Sequence, residues 1–202
     1  SGAHYVHLED LLSAAKTGLN GRHPLPSRES FAQAMAAMGL NNSTQVVAYD
    51  NAGGMYAARL WWMLNWVGHD AVAVLDGGLA AWKAAGQPLQ SQAATAPQPG
   101  KFTLRPSRVR TVNKDDLQAN LLSAEKLVLD ARAADRFRGE NETLDPVGGH
   151  IPGALNRFFR DNLAAIRTLK QIERENRRAT AEEQGILARY VGWGGLANAF
   201  AD

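Results

Sequence analysis

Apolar positions along the chain follow two alternating periods. After Ser27, a predicted N-cap, Phe31, Met35 and Met38 stand at helical spacing, and Gly39 ends the run. Gln45–Tyr49 is a short apolar run that predicts a buried strand. Gly53-Gly54 leads into a helix with Ala57, Leu60, Trp61 and Leu64 on one face. Val72-Ala73-Val74-Leu75 predicts the next strand. Asp76-Gly77-Gly78 predicts a turn, Leu79–Ala85 a short helix, and Gly86 with Pro88 its end. Strand and helix patterns alternate, which predicts an α/β layer with a parallel sheet.

The stretch Gln90–Lys101 holds Gln, Ala, Thr, Pro and Gly, with no aliphatic side chain larger than Ala, and reads as a linker. Phe102-Thr103-Leu104 opens a second half. A helix is expected near Asp115–Leu122 and a strand over Lys126–Leu129, with Asp130-Ala131-Arg132 at its end. No strand pattern follows Asn156. From Leu169 to Arg178 the chain is charged and mixed in sign. Thr180-Ala181-Glu182-Glu183 then predicts a capping box, and Ile186, Leu187, Tyr190 and Val191 one apolar helical face ahead of Gly192-Trp193-Gly194-Gly195.

Composition narrows the chemistry. The 202 residues are 45% hydrophobic, enough for one or two packed domains. Net charge is +2, from 22 Lys+Arg against 20 Asp+Glu, too balanced to argue for a nucleic-acid partner. There are no cysteines, which excludes a disulfide, a Cys-based zinc site and a thiolate nucleophile. No apolar run reaches membrane-spanning length. His4 and His7 lack further ligands at useful spacing, so no metal is expected. The glycine-rich runs at Gly53, Gly77 and Gly194 lack the Lys-Ser/Thr of a phosphate loop, and no cofactor is expected. Trp61, Trp62, Trp66, Trp82 and Trp193 read as core.

Two places carry candidate chemistry. Asp50 lies between a strand end and a helix start, where converging N–H groups and the helix dipole favour an anion. It reads either as a loop staple or as a mimic of a bound anion. A cysteine there would be an activated nucleophile, and an aspartate holds no transferable sulfur. In the second half, Asp130, Arg132, Arg136 and Arg138 cluster within nine positions. They read either as a solvated, salt-bridged face or as a clamp for an oxyanion at the carboxyl end of a strand.

One segment occurs twice. Gly149-His150-Ile151-Pro152-Gly153-Ala154-Leu155-Asn156 is echoed by Ser1-Gly2-Ala3-His4-Tyr5, and aligning Gly2 with Gly153 sets an offset of 151 residues. The counterpart of the Asp50 loop is then expected near position 201. Several further segments belong with these: Asn20-Gly21-Arg22-His23-Pro24-Leu25-Pro26, Val47-Ala48-Tyr49-Asp50 with Gly53-Gly54, and Ala58-Arg59-Leu60-Trp61-Trp62. Leu75-Asp76-Gly77-Gly78 with Trp82, and Leu129-Asp130-Ala131-Arg132 with Arg136-Phe137, complete the set. Together they resemble the tandem rhodanese family of thiosulfate and 3-mercaptopyruvate sulfurtransferases, over about residues 1 to 163.

The resemblance implies two rhodanese-like α/β domains with parallel sheets flanked by helices, both incomplete, and a helical C-terminal tail. The expected division is 1–89 for a first, inactive-type domain, 90–101 for the linker, 102–164 for a partial second domain and 165–202 for an unrelated tail. Asp50 stands where the inactive domain of that family carries aspartate in place of cysteine. No catalytic residue is expected. Arg136 matches the family arginine that binds the anionic donor, with Asp130 and Arg132 supporting it. The implied partner is a small anionic sulfur donor and the implied setting cytoplasmic. The segment from Thr168 to Leu196 resembles the start of plasmid- and phage-type proteins that combine DNA methyltransferase and helicase parts. The alternatives are a non-catalytic anion- or protein-binding rhodanese module, or a nucleic-acid-associated chimera.

Overall fold

The structure is a computed structural model, and it describes residues 2–92, 94–156 and 159–187. Contacts divide the chain into two compact units, Ser1–Thr111 and Val112–Asp202.

Unit 1 begins its regular structure with α1 (Arg28–Ala37). Ser27 caps it as expected, its hydroxyl accepting from the Ser30 N–H, and Phe31, Ala32 and Met35 form the buried face. β1 (Val46–Ala48), α2 (Met55–Trp66) and β2 (Val72–Val74) make one strand–helix–strand unit, followed by α3 (Gly78–Ala84). β1 and β2 pair in parallel, with Val46 opposite Val72 and Ala48 opposite Val74. The α/β class with parallel strands follows from the alternating pattern.

The core joins Leu12, Phe31, Met35 and Leu40 to Met63, Leu64 and Val67. It draws on α1, α2 and the segments that flank them. The expected burial of the first strand holds on one face only. Ala48 is buried beneath α2, whereas Val47, which points the other way by strand alternation, is 54% exposed. The tryptophans also differ from a plain core reading. Trp62 and Trp66 stack on each other with ring centroids 5.9 Å apart, but Trp82 is exposed and donates its indole N–H to the Pro88 carbonyl.

The two units divide after Thr111, not across the stretch 90–101, so Phe102, expected to open the second domain, lies in unit 1. The reason is local pairing. Gly100 donates its N–H to the Ala36 carbonyl at 2.7 Å. The side chain of Asn41 accepts from the Lys101 N–H, and that of Asn42 accepts from the Thr103 N–H. Phe102 and Leu104 pack on the core of unit 1. Gly100 is required there, because a Cβ would meet the Leu40 carbonyl oxygen at 2.2 Å.

Unit 2 holds α4 (Lys114–Ser123), β3 (Leu129–Asp130), α5 (Ala134–Arg138), β4 (Leu155–Asn156), α6 (Phe159–Arg174) and α7 (Ala181–Leu187). α4 starts with a capping box between Asn113 and Asp116. β3 and β4 pair in parallel, with Asp130 opposite Asn156. The capping box expected at Thr180 is present: the Thr180 hydroxyl accepts from the Glu183 N–H and the Glu183 carboxylate from the Thr180 N–H. α6 runs through the expected boundary at 165 without a break and packs against α7, with Ala165 and Ile172 buried. Tyr190, Val191 and Trp193 lie outside the described residues. Among the described residues, no helix is long and apolar enough to cross a membrane.

Candidate functional site

In unit 1 the site is a loop sealed by its own first residue. The N-cap of α2 is Gly54, at φ 95°, which has no side chain to satisfy the first N–H groups of the helix. Asp50 supplies what Gly54 lacks. Its Oδ1 accepts from the N–H groups of Ala52 and Gly54, each at 2.8 Å. Its Oδ2 accepts from those of Tyr56 and Ala57, each at 2.9 Å. Burial pushes the carboxyl pKa up, but the N–H donors of Ala57, Ala52, Gly54 and Tyr56 together pull it below the ordinary value. The carboxylate is therefore ionised at neutral pH and fills the converging donors itself.

The backbone of Asp50 is also held. Its carbonyl accepts from the Leu79 N–H at 3.0 Å. Gly78, at φ 57°, passes so close that a Cβ would lie 2.6 Å from that carbonyl oxygen. This is why Gly78 sits at the start of α3: the turn must touch the Asp50 loop, while a Cβ on Gly77 would instead meet the Ala81 side chain. Arg59 on α2 fixes the N-terminal segment from the other side. It donates to the Leu12 carbonyl through Nε and Nη2, and to the His23 carbonyl through Nη2. A shallow depression bounded by Asp10, Ser13, Pro26, Ser30 and Ala34 does not include Asp50.

In unit 2 the structure brings Asp130, Arg132 and Arg136 together, as the clamp reading requires, but around carboxylates of the chain itself. Arg132 pairs with Asp130, Nη2 to Oδ2 at 2.6 Å, and also donates to the Gly149 carbonyl. This pair, with desolvation opposing, holds Asp130 below the ordinary carboxylate value. Arg136 donates through Nε and Nη2 to Glu142, at 2.8–3.0 Å, and through Nη2 to Asp145 at 2.9 Å. Glu142 is the hub. Its side chain is 5% exposed, and it also accepts from the N–H groups of Leu144 and Asp145 and lies 3.5 Å from Arg132 Nη1. The Arg136 bonds, then the two backbone donors, pull its pKa to about 2. Arg138 stays outside this group and pairs with Glu140.

The Gly149–Asn156 segment closes the loop over this cluster. His150 stacks on Phe137 with centroids 3.6 Å apart, and its Nδ1 lies 2.7 Å from the Phe137 carbonyl oxygen. Asn156 donates its side-chain N–H groups to the carbonyls of Asp130 and Arg132. Sequence reasoning missed Glu142 and Asp145, and named Arg59 in a motif without a role, although it found Asp50, Asp130, Arg132 and Arg136. A charge count would have flagged the first two, because residues 130–145 carry more carboxylates than arginines. Among the described residues, no group of three or more metal-ligating side chains converges.

An α/β unit with parallel strands, a glycine-bearing loop at the end of β1 and a helix that starts on that loop defines the rhodanese class of fold. Residues 1–85 match the rhodanese-like domain. A probable 3-mercaptopyruvate sulfurtransferase of Pseudomonas aeruginosa is 48% identical over 166 residues, 81% of this chain and 58% of that protein. Human 3-mercaptopyruvate sulfurtransferase is 42% identical over 148 residues, 70% of this chain and 49% of that protein. The crystal structure of a 3-mercaptopyruvate sulfotransferase from Escherichia coli superimposes with a TM-score of 0.67 at 31% identity, covering 90% of this chain and 64% of that one. The chain has the rhodanese fold, and its residues 1–85 are a rhodanese-like domain. It spans about half the length of the curated relatives it matches, 58% and 49% of the two named above.

Proposed function

We propose that this chain derives its function from sulfur transfer: movement of sulfane sulfur from a small anionic donor, thiosulfate or 3-mercaptopyruvate, to cyanide or a thiol. The relatives named for this chemistry support the reading. In it, unit 1 is the inactive-type domain and the β3–β4 region is part of a second one. Arg136 receives the anionic end of the donor, while Asp130 and Arg132 hold the end of β3 from which the chain runs into α5.

The same reading makes the 202-residue chain inactive by itself. A persulfide intermediate needs a thiolate, and the sequence has no cysteine. The carrying observation is Asp50: its carboxylate occupies all four donors at the loop where a transferable sulfur would sit. The test is thiocyanate formation from thiosulfate and cyanide by the purified chain. The expected rate equals a buffer control. Turnover above that control, lost on a point change in the chain, overturns the proposal.

A second reading, a non-catalytic rhodanese module that binds an anion or a protein, draws support from that sealed loop for its non-catalytic part only, since the four donors filled by Asp50 take no further anion. The chimera reading draws less. Arg177 is held between Glu175 and Glu183, Nη2 to Glu183 Oε1 at 2.7 Å, which leaves it little charge to offer a phosphate backbone.

A further inference from the structure

We propose that Glu142 is a positioning residue for Arg136, one that presents a single corner of the guanidinium, Nη1, to the anionic donor. The inference rests on the reading that Arg136 receives that donor. It starts from an inventory of the five N–H donors of the Arg136 side chain. Nε and Nη2 face Glu142, and Nη2 also serves Asp145. Nη1 makes no hydrogen bond among the described residues, and it is not a buried atom. One corner thus remains open to a ligand.

Arg132 offers no such corner. Its Nε and Nη2 lie on Asp130, Nη2 also reaches the Gly149 carbonyl, and Nη1 faces Glu142. It acts as a strut. The rigidity comes from Glu142. Its carboxylate is anchored by two backbone N–H groups, from Leu144 and Asp145, and is nearly buried. A planar guanidinium gripped along its Nε–Nη2 edge cannot rotate without breaking both bonds. The arrangement favours a one-point contact with a terminal oxygen over a two-point fork.

Charge alone predicts the opposite role. Asp130, Glu142 and Asp145 outnumber Arg132 and Arg136, so removing any of these carboxylates should strengthen anion binding. Positioning predicts that loss of Glu142 weakens binding although the site becomes more positive. The two carboxylates on Arg136 therefore separate the cases. Asp145→Asn removes a charge and leaves the Glu142 grip. Glu142→Gln removes the same charge and breaks the grip, while its amide oxygen can still accept from Leu144 and Asp145.

The experiment is thiosulfate titration of the full chain at constant ionic strength, followed by backbone and arginine side-chain NMR. Wild type should respond and Arg136→Ala should not. An identical response in those two removes Arg136 from the site, and the proposal with it. Given that difference, Asp145→Asn should bind roughly fivefold tighter, the order expected for one nearby unit charge in a water-like medium. Glu142→Gln should bind at least threefold more weakly. Tighter binding by Glu142→Gln, or no change, overturns positioning and leaves only a charge effect. A wild-type measurement covers a variant that fails to fold. Rotation about Cζ–Nε should be slower in Arg136 than in the exposed Arg110, and equal rates overturn the proposal directly.

Discussion

Replacing Asp50 with alanine tests whether one carboxylate holds the loop that defines unit 1. Four N–H groups lose their acceptor in that variant. They do not lose it equally. Ala52 and Tyr56 are exposed, so water replaces the carboxylate there at little net cost. Gly54 is half-buried and Ala57 is buried at 3% exposure, so their donors are hard to resolvate. Each costs about 1–1.5 kcal/mol when left without a partner. The expected loss is therefore about 2–3 kcal/mol, somewhat above an ordinary N-cap deletion. For a chain of this size that lowers Tm by roughly 5–10 °C.

Asparagine should recover less than half of this, because its amide N–H₂ would face one pair of donors. Urea denaturation at neutral pH, read by tryptophan fluorescence, measures both variants. The pH dependence supplies the sign. The folded pKa of Asp50 lies below its ordinary 3.8, so its contribution is complete above that value and disappears as pH falls through the folded pKa. The gap between wild type and Asp50→Ala should close in acid. A loss under about 0.5 kcal/mol at neutral pH, smaller than a single net hydrogen bond, would refute the idea that the carboxylate holds the loop.

Gly78→Ala should cost about 2–4 kcal/mol, because its Cβ would lie 2.6 Å from the Asp50 carbonyl oxygen in a backbone at φ 57°. Gly53→Ala, at φ 78° with open space around it, should cost only about 1–2 kcal/mol, and equal losses in the two variants would remove the close approach as the cause. Glu142, with a folded pKa of about 2 against an ordinary 4.5, should stabilise unit 2 fully above pH 4.5 and lose that contribution between pH 4.5 and 2. Unfolding of wild type and Glu142→Gln followed across that window should therefore converge in acid, and a constant difference refutes the assignment.

Local information settled much of this molecule in advance. Ser27, Gly39 and the Phe31–Met35 spacing are enough to write α1, because capping and amphipathic periodicity act within a few residues. The box at Thr180–Glu183 is equally local. The missing thiol and the balanced charge follow from composition alone. The motif residues Asp50, Asp130 and Arg132 could be placed at strand ends, because the alternation of strand and helix puts them there, whereas Arg136 lies on α5.

What tertiary structure decided was partner choice, which depends on residues brought together from a distance. Nothing in the apolar-poor stretch before Phe102 shows that Asn41 and Asn42 will capture the backbone at Lys101 and Thr103, and so extend unit 1 to Thr111. The pattern of β1 did not show that Val47 would stay exposed, because α2 covers only the face that carries Ala48. Arg136 was legible as a cation near a strand end, yet its charge is balanced by Glu142 and Asp145, six and nine residues on. The type of a side chain is written in the sequence. Which of its atoms remain open to a ligand is decided only when the loop from α5 to β4 closes over it, since hydrogen bonding is directional and each donor is spent on whichever acceptor the fold brings within 3 Å.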